Sequence, residues 1–376
     1  MKPRDLVCQL EMAIKKPEKK IIFLWGARQT GKSTILNFLH HEFGGSSFNF
    51  ENLDDQRLFV PSLKTLETSI FSKKDGKESR YIFIDEVQRY PESTQSIKLL
   101  ADETDHIIIA TGSSEMRVKT NQFDTLAGRY HEYILFPLTP KEMAGFSRQK
   151  TSPESFLPDL MIYGGYPGVV LAKNKIEELK NITQNSIVKD IVNIYDLKNT
   201  DLVYNLLRLL AMQIGNLISI TELASSLGTT KITIDNYLSI LSKNRIIYFL
   251  EPFRNNKRHS YLSKKKVFFV DLGVRNALID DFRPLEVRQD LGAIFENLIV
   301  MGVLRQTFYR RSNNKLFYYR EISGTQKEID LIVETSEGIK TGHEIKFRGG
   351  KVNRFQELEI KNYKIVSQEN ALDFLI

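Results

Sequence analysis

The chain has 376 residues, of which 41% are hydrophobic and 26% charged, and its formal net charge is +7. That length exceeds one ordinary core and predicts two or three domains of soluble, globular composition. No apolar run approaches the roughly 20 residues of a bilayer span, the first six residues do not open a signal peptide, and a lone Cys8 with six scattered histidines excludes an internal disulfide and a zinc cluster, so a cytoplasmic protein without membrane contact is expected.

Across the first 140 residues, five short apolar runs (21–25, 48–50, 81–84, 107–110 and 133–135) alternate with helix-like stretches. This pattern predicts a parallel sheet with crossovers, its ligands gathered at the carboxyl ends of the strands. Directly after the first run comes Gly26-Ala27-Arg28-Gln29-Thr30-Gly31-Lys32-Ser33, followed by a helical stretch from Thr34. The spacing Gly-x4-Gly-Lys-Ser lets backbone amides cradle phosphates at a helix N-terminus. Residues Gly26 to Thr34 are therefore the expected ATP-binding loop, with Lys32 on the β/γ-phosphates and Ser33 on Mg²⁺. The third run ends in Asp85-Glu86. Asp85 is expected in the Mg²⁺ shell, and Glu86 as the group that polarises the attacking water. Beyond the fourth run, Thr111-Gly112-Ser113-Ser114 offers a hydroxyl to the γ-phosphate or the lytic water. Ser113 is counted with the nucleotide ligands, and Thr111 is the alternative.

These pieces resemble an AAA-type (AAA+) P-loop ATPase, with Asp85-Glu86 as Walker B and 111–114 at the sensor-1 position. The resemblance places Arg129, in Leu126-Ala127-Gly128-Arg129, where that superfamily often carries an arginine finger for a neighbouring subunit. It thereby implies a homo-oligomer. An ordinary ion pair within one chain is the alternative for Arg129.

Residues 139–199 read as mostly helical, interrupted by Gly164-Gly165-Tyr166-Pro167-Gly168. From 202 to 250 the pattern is three helices separated by turns, then an apolar segment. Within it, 221–228 followed by 230–243 has the length and turn of a helix-turn-helix, and 246–250 with the basic tract after it resembles a wing. Thr229, Thr230, Lys231, Thr233 and Asn236 are the expected contacts to phosphates or base edges. Between 219 and 266 there are nine Lys/Arg against three acids, an electrostatic footprint for DNA, although winged helices also bind proteins.

A strand at 267–270 follows, with Asp271 read as the cap of the next helix. After it come an amphipathic helix at 291–306, three strands from 316, a helix, a strand and a final helix. That order resembles the restriction-endonuclease-like fold. Alternation puts Glu344 and Lys346 on one face, and Asp330 on a neighbouring strand can share Mg²⁺, or Mn²⁺, with Glu344. Lys346 would steady the charge that develops, and Glu296 would add a carboxylate from the helix. Together with Gly164-Gly165-Tyr166-Pro167, Asp271-Leu272-Gly273 and Phe295-Glu296-Asn297, these segments are similar to a prokaryotic family that joins such an ATPase to a C-terminal domain of unknown function.

The expected architecture is thus α/β in four parts. An ATPase core (1–138) and a helical lid (139–200) precede a winged helix-turn-helix (201–266) and a nuclease-like domain (267–376). The expected function is ATP-dependent DNA binding through 219–266 and the C-terminal domain, with metal-dependent cleavage there. The alternative is a nucleotide-gated signalling or assembly protein whose later domains bind proteins.

Overall fold

The computed structural model describes residues 4–73, 80–113, 126–146, 151–188, 191–192, 199–253, 264–321, 327–351, 353–355 and 358–375. They fall into two units, Met1–Phe136 and Pro137–Ile376.

The first unit is built on a five-stranded sheet of order β2-β3-β4-β1-β5, comprising β1 (Ile21–Gly26), β2 (Ser46–Asn49), β3 (Tyr81–Asp85), β4 (Ile107–Gly112) and β5 (Tyr130–Leu135). Every pairing is parallel. All five runs expected as strands are strands. β1 and β4 are buried along their whole length, which is why they read as unbroken apolar runs rather than alternating ones. Helices α1 (Asp5–Lys15), α2 (Lys32–Phe43), α3 (Leu53–Leu58), α4 (Leu63–Ser72) and α5 (Ser93–Glu103) complete the unit. α1 buries Leu6, Leu10 and Ile14, one helical stripe at four-residue spacing. The register sets Trp25 beside Gly112 and Ile84 beside Ala110, so the carboxyl ends of β1, β3 and β4 lie together.

The second unit opens with short helices, α6 (Pro140–Phe146), α7 (Leu157–Tyr163), α8 (Pro167–Leu171) and α9 (Lys175–Asn181). After α10 (Thr200–Met212) come α11 (Ile220–Ser226) and α12 (Lys231–Lys243), each begun by a side-chain cap, Ser219 and Thr230 respectively. The unit's sheet has six strands in the order β11-β10-β9-β8-β6-β7. They are β6 (Ile247–Pro252), β7 (Lys266–Phe269), β8 (Lys315–Arg320), β9 (Glu328–Glu334), β10 (Lys340–Ile345) and β11 (Asn362–Val366). The segment 246–250, expected as part of a wing, is β6, which forms a hairpin with β7 and continues the C-terminal sheet through its pairing with β8. A domain boundary between 266 and 267 would cut through β7.

Two helices cross this sheet's surroundings, α13 (Leu272–Ile279) and α14 (Leu291–Tyr309). α14 corrects the expectation of an amphipathic helix. Eleven of its nineteen residues are buried, as in a helix enclosed on all sides. By length and composition it would also suffice to cross a membrane, although no apolar run of that length stands out in the sequence, yet it lies in the protein core. The helix expected between β10 and β11 is absent among the described residues, which form turns there, and the final helix is a single 3-10 turn, Ala371–Phe374.

The outer side of β7 is covered. Gly215 and Ile218 donate backbone bonds to Val267 and Lys265 (2.9 and 3.0 Å), and Val267 donates to Asn216 (3.3 Å). Asn297 on α14 finishes the edge, its amide accepting from the Phe269 N–H (2.7 Å) and donating to the Phe269 carbonyl (2.8 Å).

Candidate functional site

In the first unit the chain leaves β1 at Gly26 and re-enters regular structure at Lys32. Gly31 sits between them with φ 99°, a left-handed position natural only to glycine. The turn is tied internally by the Thr30 hydroxyl, which donates to the Ala27 carbonyl at 2.8 Å, and by the Lys32 ammonium, which donates to the same oxygen at 3.1 Å. From outside, the buried Arg4 guanidinium donates to the Thr30 carbonyl (2.8 Å) and to the Phe136 carbonyl (2.7 Å). Arg28, Gly31 and Ser33 are half-buried, while Gln29 and Thr34 are exposed.

At the end of β3 the Thr111 hydroxyl donates to Asp85 Oδ1, and the Glu86 N–H donates to the same oxygen at 3.1 Å. Thr111 is thereby committed to Asp85. Ser113, the other candidate, has a buried hydroxyl without a partner among the described residues; Ser114 lies outside them. Glu86 adopts φ 53° and ψ 46°, a strained backbone for a residue with a side chain, and the Gln88 amide donates to its carboxylate. Arg129 forms a two-pronged ion pair with Asp102, at 2.7 and 3.1 Å. This hydrogen-bonded guanidinium holds Asp102 below the usual carboxylate range. The alternative reading of Arg129 is thus the one seen within a single chain.

In the second unit, α11 and α12 pack through Leu223, Ala224, Ile234, Leu238 and Leu241, all buried. Thr230, Lys231 and Asn236 are exposed on α12 and its cap, while Thr229 and Thr233 are half-buried. Arg254, Lys257 and Arg258 lie outside the described residues, Lys265 pairs with Glu251 (2.8 Å), and Lys266 is buried.

Lys266 lines a cavity of about 550 Å³ together with Glu296, Glu328, Asp330, Glu344 and Lys346. The strands bring together the residues that the sequence singled out. Lys346 Nζ lies 3.2 Å from Glu344 Oε1 and 3.4 Å from Asp330 Oδ2, and the Ile345 N–H donates to that same Asp330 oxygen at 2.7 Å. Glu344 has a side chain only 6% exposed, and its second oxygen, Oε2, has no partner among the described residues. Burial raises the Glu344 pKa, with the Asp330 charge adding to it. Glu296 differs from expectation. It accepts from Lys266 at 2.7 Å, and Glu328, which the sequence did not single out, accepts from the same ammonium. Glu328 precedes Asp330 by two residues on β9 and so shares its face, which was the available signal. One ligand atom each of Glu296, Glu328 and Asp330 lies within 4.8 Å of the others.

Asp271 is the helix cap expected of it. It accepts from the Val274 N–H at 3.1 Å and from the Gly165 N–H at 2.8 Å, so the segment Gly164-Gly165-Tyr166-Pro167 docks on Asp271-Leu272-Gly273.

Residues 18–144 match the AAA domain family. Residues 155–285 match a domain of unknown function (DUF8612), and residues 291–372 match a second one (DUF4143). An uncharacterized protein of Methanocaldococcus jannaschii is 26% identical over 98% of this chain and 83% of its own. Another, from Haemophilus influenzae, is 24% identical over 84% of this chain and 79% of its own. Among solved structures, a Walker-type ATPase of Pyrococcus abyssi superposes with a TM-score of 0.50 at 14% identity, covering 74% of this chain and 96% of that one; that likeness is one of fold. The first unit is accordingly a P-loop ATPase domain of the AAA+ type, joined to C-terminal segments whose families carry no assigned role.

Proposed function

We propose that the chain is a Mg²⁺-dependent ATPase that binds DNA through 219–266 and cleaves it at the C-terminal cavity, with nucleotide state gating the cut. At the nucleotide site Lys32 takes the β/γ-phosphates, and Ser33 and Asp85 hold the metal shell. Bound Mg²⁺ neutralises charge on the phosphate oxygens. Glu86 orients the attacking water, and the Thr111 hydroxyl fixes Asp85, leaving Ser113 to face the γ-phosphate. Arg129 serves a neighbouring subunit only by leaving Asp102, a cytoplasmic homo-oligomer being the form in which that exchange has a purpose.

Glu344 is the observation that carries the second activity. A buried carboxylate oxygen without a partner is unfavourable unless something binds it, and this one lines a cavity with Asp330 and Lys346. These residues fit a divalent cation, which would lower the pKa of a bound water. Lys346, half-exposed at the rim, then steadies the phosphate. Lys231, Lys243 and Lys264, exposed near α12 and β7, supply phosphate contacts. One feature favours the alternative, a signalling or assembly ATPase with an inactive nuclease fold: Lys266 already neutralises part of the acidic cluster.

The test is a matched assay of ATP turnover, DNA binding and DNA cleavage with Mg²⁺ or Mn²⁺. Lys32→Ala should weaken ATP binding. Glu86→Gln should keep it and lose about 10²–10⁴-fold in turnover. Asp330→Ala should abolish cleavage and leave ATP turnover intact. DNA affinity should fall steeply with salt, and less steeply once the three lysines are neutralised. Wild type that hydrolyses ATP but neither binds nor cuts single strands, duplexes or junctions in any nucleotide state would move the chain to the alternative.

A further inference from the structure

The acidic cluster already contains a cation. Lys266 opens β7, and its ammonium donates to both Glu296 and Glu328 with a side chain 4% exposed. Its ammonium occupies the Glu296–Glu328 side of that cluster. The three carboxylates of Glu296, Glu328 and Asp330 offer one oxygen each within a 4.8 Å circle, and an ammonium with three donors suits such a ring of acceptors. Nothing about its packing suggests a mobile side chain. Lys266 sits beside the Tyr318 ring, 5.6 Å from its centroid, and its strand is bonded on one side to β6 and on the other to the 215–218 segment.

We infer that Lys266 is the resident cation of the Glu296–Glu328–Asp330 cluster, holding the place of a divalent ion, so that any exchangeable metal in the cavity is a single ion on the Glu344 side. The Glu344 half of this statement rests on the metal-dependent reading proposed above; the place-holding by Lys266 does not. Geometry separates the two sides. Glu344 and Lys346 contact each other, whereas Glu296 and Glu328 both contact Lys266. Asp330 lies between, bound to the Ile345 N–H and Lys346 on one oxygen. Glu296 thus changes role from metal ligand to counter-ion. Its removal should loosen Lys266 rather than strip a metal.

The experiment counts Mn²⁺ bound to the nucleotide-free full-length chain from the electron paramagnetic resonance signal of the free ion, with melting temperature followed in parallel. Lys266→Met should bind one more Mn²⁺ per chain than wild type. That extra ion should disappear in Lys266→Met with Glu296→Gln. Mn²⁺ should also raise the melting temperature of Lys266→Met more than that of wild type, as binding to the folded state alone requires. A Lys266→Met chain that folds only when Mn²⁺ is added gives the same answer. Equal counts in the two chains, a Lys266→Met chain that stays unfolded at every Mn²⁺ concentration, or a wild-type ion lost on Glu296→Gln would each overturn the inference. Wild type binding no cavity ion while Lys266→Met binds one would uphold Lys266 as place-holder and remove the metal-dependent reading instead.

Discussion

At the scale of single residues, the nucleotide loop depends on a side chain that no phosphate-binding pattern contains. Arg4 holds the carbonyl of Thr30, and the peptide from Thr30 to the left-handed Gly31 is the one whose rotation would turn an amide away from bound phosphate. Its second bond, to Phe136, ties that peptide to the end of β5. Replacing Arg4 with Met leaves two buried carbonyls without this donor, and charge-assisted bonds of this kind contribute roughly 1.5–3 kcal/mol each. ATP affinity should fall about tenfold or more, with a smaller change in turnover at saturation. Trp25, the one tryptophan of the chain, is buried immediately before Gly26 and gives the readout in its fluorescence. Arg4→Lys, able to reach one of the two carbonyls, should recover part of the loss. Unchanged affinity with a lowered melting temperature would make Arg4 an anchor for α1 only. Lys32, Ser33 and Asp85 stand out in the sequence because binding a phosphate and its Mg²⁺ would require that spacing. Arg4 was not, since a single arginine ahead of a helix carries no period and no partner in the sequence. Lys266 was misleading for another reason: in Lys264-Lys265-Lys266 only the following Val-Phe-Phe hints that the third lysine is drawn inside.

Among elements, the junction of the 164–167 turn with α13 has the clearest energetic signature. Asp271 caps α13 and binds Gly165 from full burial, and that burial raises its carboxyl to about 6 despite the backbone donors. A folded-state pKa above the unfolded value of about 3.9 means that the native chain binds the proton more tightly. Stability from this group is therefore present below about pH 4 and is lost as pH rises towards 6. Asp271→Asn should lack that segment of the profile, as measured by denaturant midpoints from pH 3.5 to 7.5. Wild type and variant running parallel over this range would contradict it. The glycine opposite is equally constrained. Gly164 has φ +71°, and a Cβ there would lie 2.0 Å from Asp271 Oδ1, so the turn accepts no larger residue without moving. α13 itself was readable from its cap, but its partner across 106 positions was not, because sequence spacing says nothing about which turn fills a helix's open end.

For the whole molecule, legibility followed burial symmetry. Strands covered on both faces, such as β1 and β4, announced themselves as apolar runs, and with the phosphate loop they gave the first unit's architecture correctly. The second unit was clear in its parts and less so in its joints. The segment 246–250 reads with the preceding module because the basic tract after it dominates the local composition, whereas the backbone pairing of β6 with β7 and β8 decides where it belongs. α14 looked two-faced because Glu296, Asn297 and Arg305 interrupt its apolar residues. Asn297 and Arg305 are buried and Glu296 half-buried, with Glu296 set against Lys266 and Asn297 along β7. Asp330, Glu344 and Lys346 converged as alternation required, and Glu328 was passed over only because two acids on one strand face look like ordinary surface.

The six-stranded sheet also has unequal ends. β7 is closed by the 215–218 segment and by Asn297, while β11, the terminal strand at the other end, presents Asn362, Lys364 and Ile365 to solvent. An open strand edge invites a foreign strand, and a lysine is a common deterrent to it. On β11 Lys364 stands next to the exposed Ile365, the place for such a deterrent. Lys364→Val should leave ATP turnover unchanged yet raise light scattering and sedimentation of large species at high protein concentration, most strongly at high salt, where the remaining charges are screened. Equal scattering from both chains would mean that β11 is protected by something other than its own lysine.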